Sequence, residues 1–377
     1  MRTKIRKSIG ILLSLLMVLS VVGAAVPASA ADDAANAEFE ALKSQTIAAI
    51  HSRLAGDPEP DYILNCCLCI SLVSEKTYIA SVSIEEYRQY FTSVVASLDL
   101  LEDILEFDAY KEDRCMYLYS LFAGTEREEE IIIGSVRVSL VAGTEFDEDL
   151  TLEQNKANID AAVDAALASS AVPAPDGVTN EEFEALKSLF VGHFYNKIAE
   201  NDVPTAIITL CSGITELLTM PYDEDMSMDE NEEELDDFAD DVVTQAKKCR
   251  LEAYAAEKGK TLYAVFADVE DEAVIVAGSE CVINICWTEY DAQLSLEENK
   301  ANVDASVAAA LARLAELGVP PQDPDEPDAP VNPDAPDKPQ EENLCKWCGE
   351  KHTGFWGKIV GFFHSVLYFF ARLFGRR

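Results

Sequence analysis

The chain has 377 residues, with 69 acidic against 29 basic side chains and a formal charge of −40. That charge repels phosphate backbones and argues against nucleic acid as a partner. At 49% apolar composition the chain is nonetheless rich enough to bury a core.

Met1–Ala30 reads as a secretory signal. Arg2, Lys4, Arg6 and Lys7 precede the apolar run Ile9–Val26, and Ala28-Ser29-Ala30 is a small-residue cleavage site. The expectation is an exported protein on the extracellular side of the cytoplasmic membrane or at the cell surface. With the four basic residues of this segment and the net +5 of Leu344–Arg377 set aside, Ala31–Asn343 carries −49. Such a body suits basic or divalent partners.

The next part of the chain is written twice. Asn36–Leu167 aligns with Asn180–Leu311 at a constant offset of 144. Glu38–Ser44 repeats as Glu182–Ser188, Leu152–Asn158 as Leu296–Asn302, Ala109-Tyr110 as Ala253-Tyr254, and Gly134-Ser135 as Gly278-Ser279. This is a tandem domain duplication, over 36–168 and 180–318, with 169–179 as the linker.

Within each copy the pattern opens on a helix, with Phe39, Leu42, Ile50 and Leu54 at helical spacing in the first. An apolar stretch follows, Tyr62–Val73 and Thr205–Leu218, readable as strand or helix. A second helix carries Phe91, Val94, Leu98 and Leu105, and Ser83 with Glu86 forms a capping box at its start. Alternation at Tyr117–Phe122, then Ile131–Ile133 and Val136–Val141, predicts short strands, as do Val274–Val276 and Cys281–Ile285 in the second copy. The apolar face of the last pair flips by one residue between copies, which predicts a bulge or a face covered on both sides. Each copy closes with a helix capped by Thr151 with Gln154, or by Ser295 with Glu298. The expected fold class is α+β: two tandem copies of a helix–helix–antiparallel sheet–helix domain.

Residues 319–343 place Pro at nearly every third position with acidic residues between. Such a segment cannot bury a core and favours polyproline II, and it is read as a stalk. In 344–354, Cys345 and Cys348 have zinc-ligand spacing with His352 as a third ligand; a local disulfide or a redox pair are the alternatives. In 355–377, Lys358, His364 and Arg372 fall on one side of a helical wheel, with Ile359, Phe362, Phe363 and Phe370 on the other. This is an interfacial amphipathic helix suited to anionic lipid, so the expected partner of the tail is the membrane or cell envelope.

The pattern C-x-x-C-G-x-x-H-x-G-F-x-G-K-I-x-x-F-F-H from Cys345 resembles a C-terminal tail carried by various exported proteins of Gram-positive bacteria. The resemblance covers Cys345 to Arg377, implies retention at the cell surface, and implies nothing about the duplicated domains. No L-P-x-T-G motif precedes it.

Of the other cysteines only Cys67 and Cys211 correspond between copies, so most are read as small buried hydrophobes rather than a disulfide framework. Asp223, Asp225, Ser227 and Glu234 match EF-hand spacing, but Met228 stands where the turn needs Gly, which disfavours calcium. His51 and His193 do not correspond between copies, and no nucleophile or phosphate-loop motif occurs. Asn155, Lys156 and Asn158, with Asn299, Lys300 and Asn302, are the first polar candidates; a helix–sheet hydrogen-bonding role is favoured over ligand binding. The leading expectation is a non-catalytic, surface-associated protein whose duplicated domains bind an unknown extracellular ligand or protein. The alternatives are a secreted hydrolase using a carboxylate pair and an envelope metal-binding protein.

Overall fold

The computed structural model describes residues 30–319 other than 56–57, 174 and 176–178. The signal, stalk and tail expectations fall outside the described residues, apart from the ends Ala30 and Val319. Among the described residues every regular element is a helix. The first copy contains α1 (Ala30–Ser52), α2 (Pro60–Ser74), α3 (Ile84–Ser120), α4 (Glu128–Ala142) and α5 (Leu152–Ala168). The second contains α6 (Glu181–Ala199), α7 (Pro204–Thr219), α8 (Met228–Phe266), α9 (Glu272–Cys286) and α10 (Leu296–Glu316).

The α+β expectation, with its antiparallel sheet, is therefore corrected: the described residues contain no strand. Tyr117–Ser120 is the last turn of α3, the segments at Ile131–Ile133 and Val136–Val141 are one helix, α4, and Val274–Val276 with Cys281–Ile285 is α9. These helices are apolar and β-branched because neighbours cover them on several sides. In α9, Val274, Ile275, Ala277, Gly278, Ser279, Cys281, Val282, Ile283 and Ile285 are all buried. The solvent-facing stripes of these helices are narrow and in part apolar, Leu140 in α4 being 55% exposed, so the 3.6-residue period is masked, and burial overrides the β preference of Val and Ile. The flip of face between copies is explained the same way. No bulge is involved.

The duplication is itself made of two halves. Moving along the chain by 68, then 76, then 68 residues superposes four units. Each has three parts: a first helix, an apolar middle helix of 15 or 16 residues, and a capped third helix. Unit one is α1, α2 and the first half of α3; unit two is the rest of α3 with α4 and α5. Units three and four are built likewise around α8. The third helix of one unit thus runs unbroken into the first helix of the next, which gives α3 its 37 residues and α8 its 39.

The same positions do the same work in all four units. Ile63, Ile131, Ile207 and Ile275 in the middle helices are all buried, each contributing about 1.5–3 kcal/mol of apolar burial. Phe39, Phe107, Phe183 and Leu251 anchor the first helices. Lys43, Lys111 and Lys187 follow four residues after the three Phe rings. Each lies over its ring, at 5.7, 4.6 and 4.9 Å from the centroid. Each also donates to a backbone carbonyl just past the middle helix: Lys76 O, Thr144 O and Met220 O. Unit four has Ala255 in this place. Every third helix opens with a complete capping box: Ser83 with Glu86, Thr151 with Gln154, Ser227 with Glu230 and Ser295 with Glu298.

Units pair across the duplication rather than within it. The middle helix α2 packs on α9, and α7 packs on α4. One core cluster joins Phe107, Leu118, Val138 and Ile159 of the first copy to Phe194, Ile207, Ile214 and Leu235 of the second. Unit one is thus matched with unit four, and unit two with unit three. At the crossings the equivalent positions are small: Cys67 in α2 against Ser279 in α9, and Cys211 in α7 against Ser135 in α4. Neither contact reaches hydrogen-bond geometry, and both hydroxyl oxygens are buried without another partner. The neighbouring glycines serve the other side. A Cβ on Gly134 would lie 2.1 Å from the Phe122 ring, and one on Gly278 would lie 2.7 Å from the Phe266 ring. The repeated Gly-Ser pair therefore admits a ring on one side and a helix of the other copy on the next.

A second reciprocal contact closes each pair. Tyr195 Oη donates to Phe122 O at 2.9 Å, and Tyr263 Oη donates to Leu54 O at 3.3 Å. The position held by Tyr119, Tyr195 and Tyr263 is His51 in unit one.

Candidate functional site

The polar residues singled out in the sequence divide into two kinds. Asn155 and Asn299 are fully buried, and their role is structural. Asn155 Oδ1 accepts from Asp147 N at 2.8 Å, while Nδ2 donates to Asp147 O at 2.9 Å and Thr151 O at 3.2 Å. Asn299 makes the same bonds to Asp291 and Ser295. They tie down the loop before a third helix, with no sheet involved. Asn231 repeats the device at Asp223 and Ser227, and in unit one Tyr87 Oη accepts from Ile79 N at 2.9 Å instead. The EF-hand-like residues are absorbed by this loop: Asp223 Oδ1 accepts from Asp225 N at 2.9 Å, and Ser227 is the helix cap. Among the described residues no cluster of His, Cys, Asp and Glu is arranged to hold a metal.

Lys156 and Lys300 belong to something else. Each is one side of a duplicated aromatic–ionic cluster on the outside of a copy. In the first copy the Tyr110 ring on α3 lies between Arg114, at 4.6 Å from the ring centroid, and Lys156 of α5, at 5.6 Å. Tyr110 Oη donates to both oxygens of Asp160 at 2.9 Å, and Arg114 Nε donates to Asp160 at 3.0 Å. Lys156 also pairs with Glu106 at 2.6 Å. In the second copy the Tyr254 ring on α8 lies between Lys258 and Lys300 at 5.3 and 5.4 Å, and its hydroxyl donates to Asp304 at 2.7 Å. Partial burial and then the Asp304 carboxylate push the Tyr254 phenol up to about 12. The hydrogen bond to Glu106 raises Lys156, and that to Tyr110 raises Arg114, so both cations stay charged.

The fold does not require these clusters. Tyr110 and Tyr254 stand where units one and three have Leu42 and Leu186, which are half-buried too. A clasp between first and third helices can be made more simply, as Arg88 and Glu38 do at 2.9 Å in unit one. An aromatic ring held between cations and fixed by a carboxylate is rigid, amphipathic and accessible. Tyr and Arg are the residue types that dominate protein-binding surfaces. The clue to it in the sequence was the repeated Ala-Tyr pair together with the repeated Lys. What sequence reading missed is that residues about 50 positions apart share one face. Asn158 and Asn302 are exposed, two residues from Lys156 and Lys300 and so on another side of their helices.

The remaining candidates do not converge. His193 is exposed. His51 is half-buried, with Nε2 donating to Ala267 O at 3.0 Å and Nδ1 buried without a partner. Burial lowers its pKa, offset in part by that carbonyl and by Asp268. Cys66, Cys67, Cys69, Cys115, Cys211 and Cys281 are free thiols. Burial pushes Cys69, Cys115 and Cys211 up to about 12 and Cys66 and Cys67 higher still, which suppresses thiolate chemistry. An open groove of about 720 Å³ lies between units one and four, lined by Lys43, Ser74, Glu272, Val276, Arg313 and Leu317. Its two cations are engaged, Lys43 with Glu40 and Arg313 with Glu280. Cys345, Cys348 and His352 lie outside the described residues. No described helix is long and apolar enough to cross a membrane. Comparison with protein-family models, curated protein sequences and solved structures finds no match.

Proposed function

We propose that this is an exported, cell-surface-retained binding protein without catalytic activity, whose two copies each offer one face to an extracellular protein. The observation that supports this reading is the aromatic–ionic cluster, present at the same place in both copies and replaced by leucine in the other two units. Two equivalent faces on one chain raise avidity without new contacts. The signal-like start, the acidic Pro-rich stretch and the basic aromatic tail support presentation at a surface, with the tail on the membrane or cell envelope.

Fractionation of cells expressing the full chain, or a version ending at Asn343, tests retention. The full chain is expected in the envelope fraction and the shortened one in the medium. Equal release of both would remove the proposal.

A further inference from the structure

We propose that the surface joining the two copies is also a self-recognition surface, able to seat copy one of one chain on copy two of a second. The contact is isologous in character, because equivalent helices meet at equivalent positions: Cys67 on Ser279 and Cys211 on Ser135. Such a contact does not distinguish a partner in the same chain from one in another.

Connectivity makes that choice. Units fused through an unbroken helix do not pair with each other: α2 packs on α9 and not on α4, and α7 packs on α4 and not on α9. The one joint between units that do pair is Ser169–Asn180, between α5 and α6. There the spacing is 76 residues instead of 68, so the joint is longer by eight. Those eight residues let unit three fold back on unit two. A connection of this length gives roughly millimolar effective concentration, so pairing within the chain wins in dilute solution. Removing the extra length makes this joint like the other two and leaves every unit to find its partner in a second molecule, which is reciprocal domain exchange.

The test replaces Ser169–Asn180 in the full chain with the four-residue sequence Leu101–Ile104, which occupies the same joint in α3. Light scattering is expected to give twice the monomer mass with the helical circular dichroism of the parent. A folded monomer overturns the proposal. A second arm does not depend on that replacement folding. The full chain carrying Ser279→Cys is unfolded and refolded at dilute and at near-millimolar concentration, then run on non-reducing gels. Disulfide-linked dimers that grow with concentration, and vanish when Cys67→Ala is added, are expected. Their absence at the higher concentration overturns the proposal.

Discussion

Cys67 in α2 and Ser279 in α9 hold the same place in units one and four, and they face each other across the boundary between the two copies. A tandem duplication ordinarily yields two bodies with separate cores. Here each core is completed by the other copy, as Phe107 and Phe194 within one cluster show. The aromatic–ionic clusters are therefore fixed to one framework rather than to two independently moving domains.

The glycine that accepts a ring sets the first prediction. Gly134→Ala drives a methyl into the Phe122 ring, and Gly278→Ala into that of Phe266. Each is expected to cost about 1–3 kcal/mol, as overpacking does. Gly192→Ala in α6, where nothing lies within 4 Å, is expected to stabilise by about 0.5–1 kcal/mol. Urea midpoints of the three variants check the contrast.

Asn155→Ala should cost about 2–3 kcal/mol, because it leaves Asp147 N and Asp147 O without their partner at a buried position. Asn155→Asp should not restore the loss, since a carboxylate cannot donate to Asp147 O. Denaturant unfolding of both variants measures this. Stability equal to the parent in either would show that the loop does not depend on the amide.

His51 gives the pH dependence. Its pKa is depressed on folding, so the folded state favours the neutral ring. The unfolded chain takes up the proton near 6.5, and stability is lost as pH falls from there through the lower folded value. The groups that face it are Tyr263, Phe266 and Asp268, with the Ala267 carbonyl. His51→Tyr installs the residue of the other three units. The parent should lose more stability than this variant between pH 7.5 and pH 5.5; an equal loss would remove the argument.

The legible parts of the sequence were those with local chemistry. Ser83 with Glu86, Thr151 with Gln154 and Ser295 with Glu298 announced three helix starts, and all three cap helices. The middle helices were not legible, because Ile131–Ile133 and Val274–Val276 sit in helices that are apolar on nearly every side, the exposed Leu140 of α4 included. The half-length repeat shows in the sequence as Phe39 to Lys43, Phe107 to Lys111 and Phe183 to Lys187. Leu251 and Ala255 obscure it by breaking the pattern in unit four, and the middle spacing of 76 residues against 68 breaks its period. Tyr110 and Lys156 were each visible as repeated residues. Only the packing of α5 on α3 brings them together.

The tail motif carries a metal prediction. We propose zinc at Cys345, Cys348 and His352, and the full chain dialysed against dilute zinc should retain about one equivalent. Cys345→Ala with Cys348→Ala should abolish it. Equal retention by the variant would place the metal elsewhere.

The interlocking of the two copies is tested most directly by cutting between them. A specific protease site placed between Ser170 and Thr179 of the full chain allows cleavage after folding. The halves are expected to co-elute as one particle with unchanged helicity, held by α2 on α9 and α7 on α4. Separation into two stable, folded monomers would contradict the account.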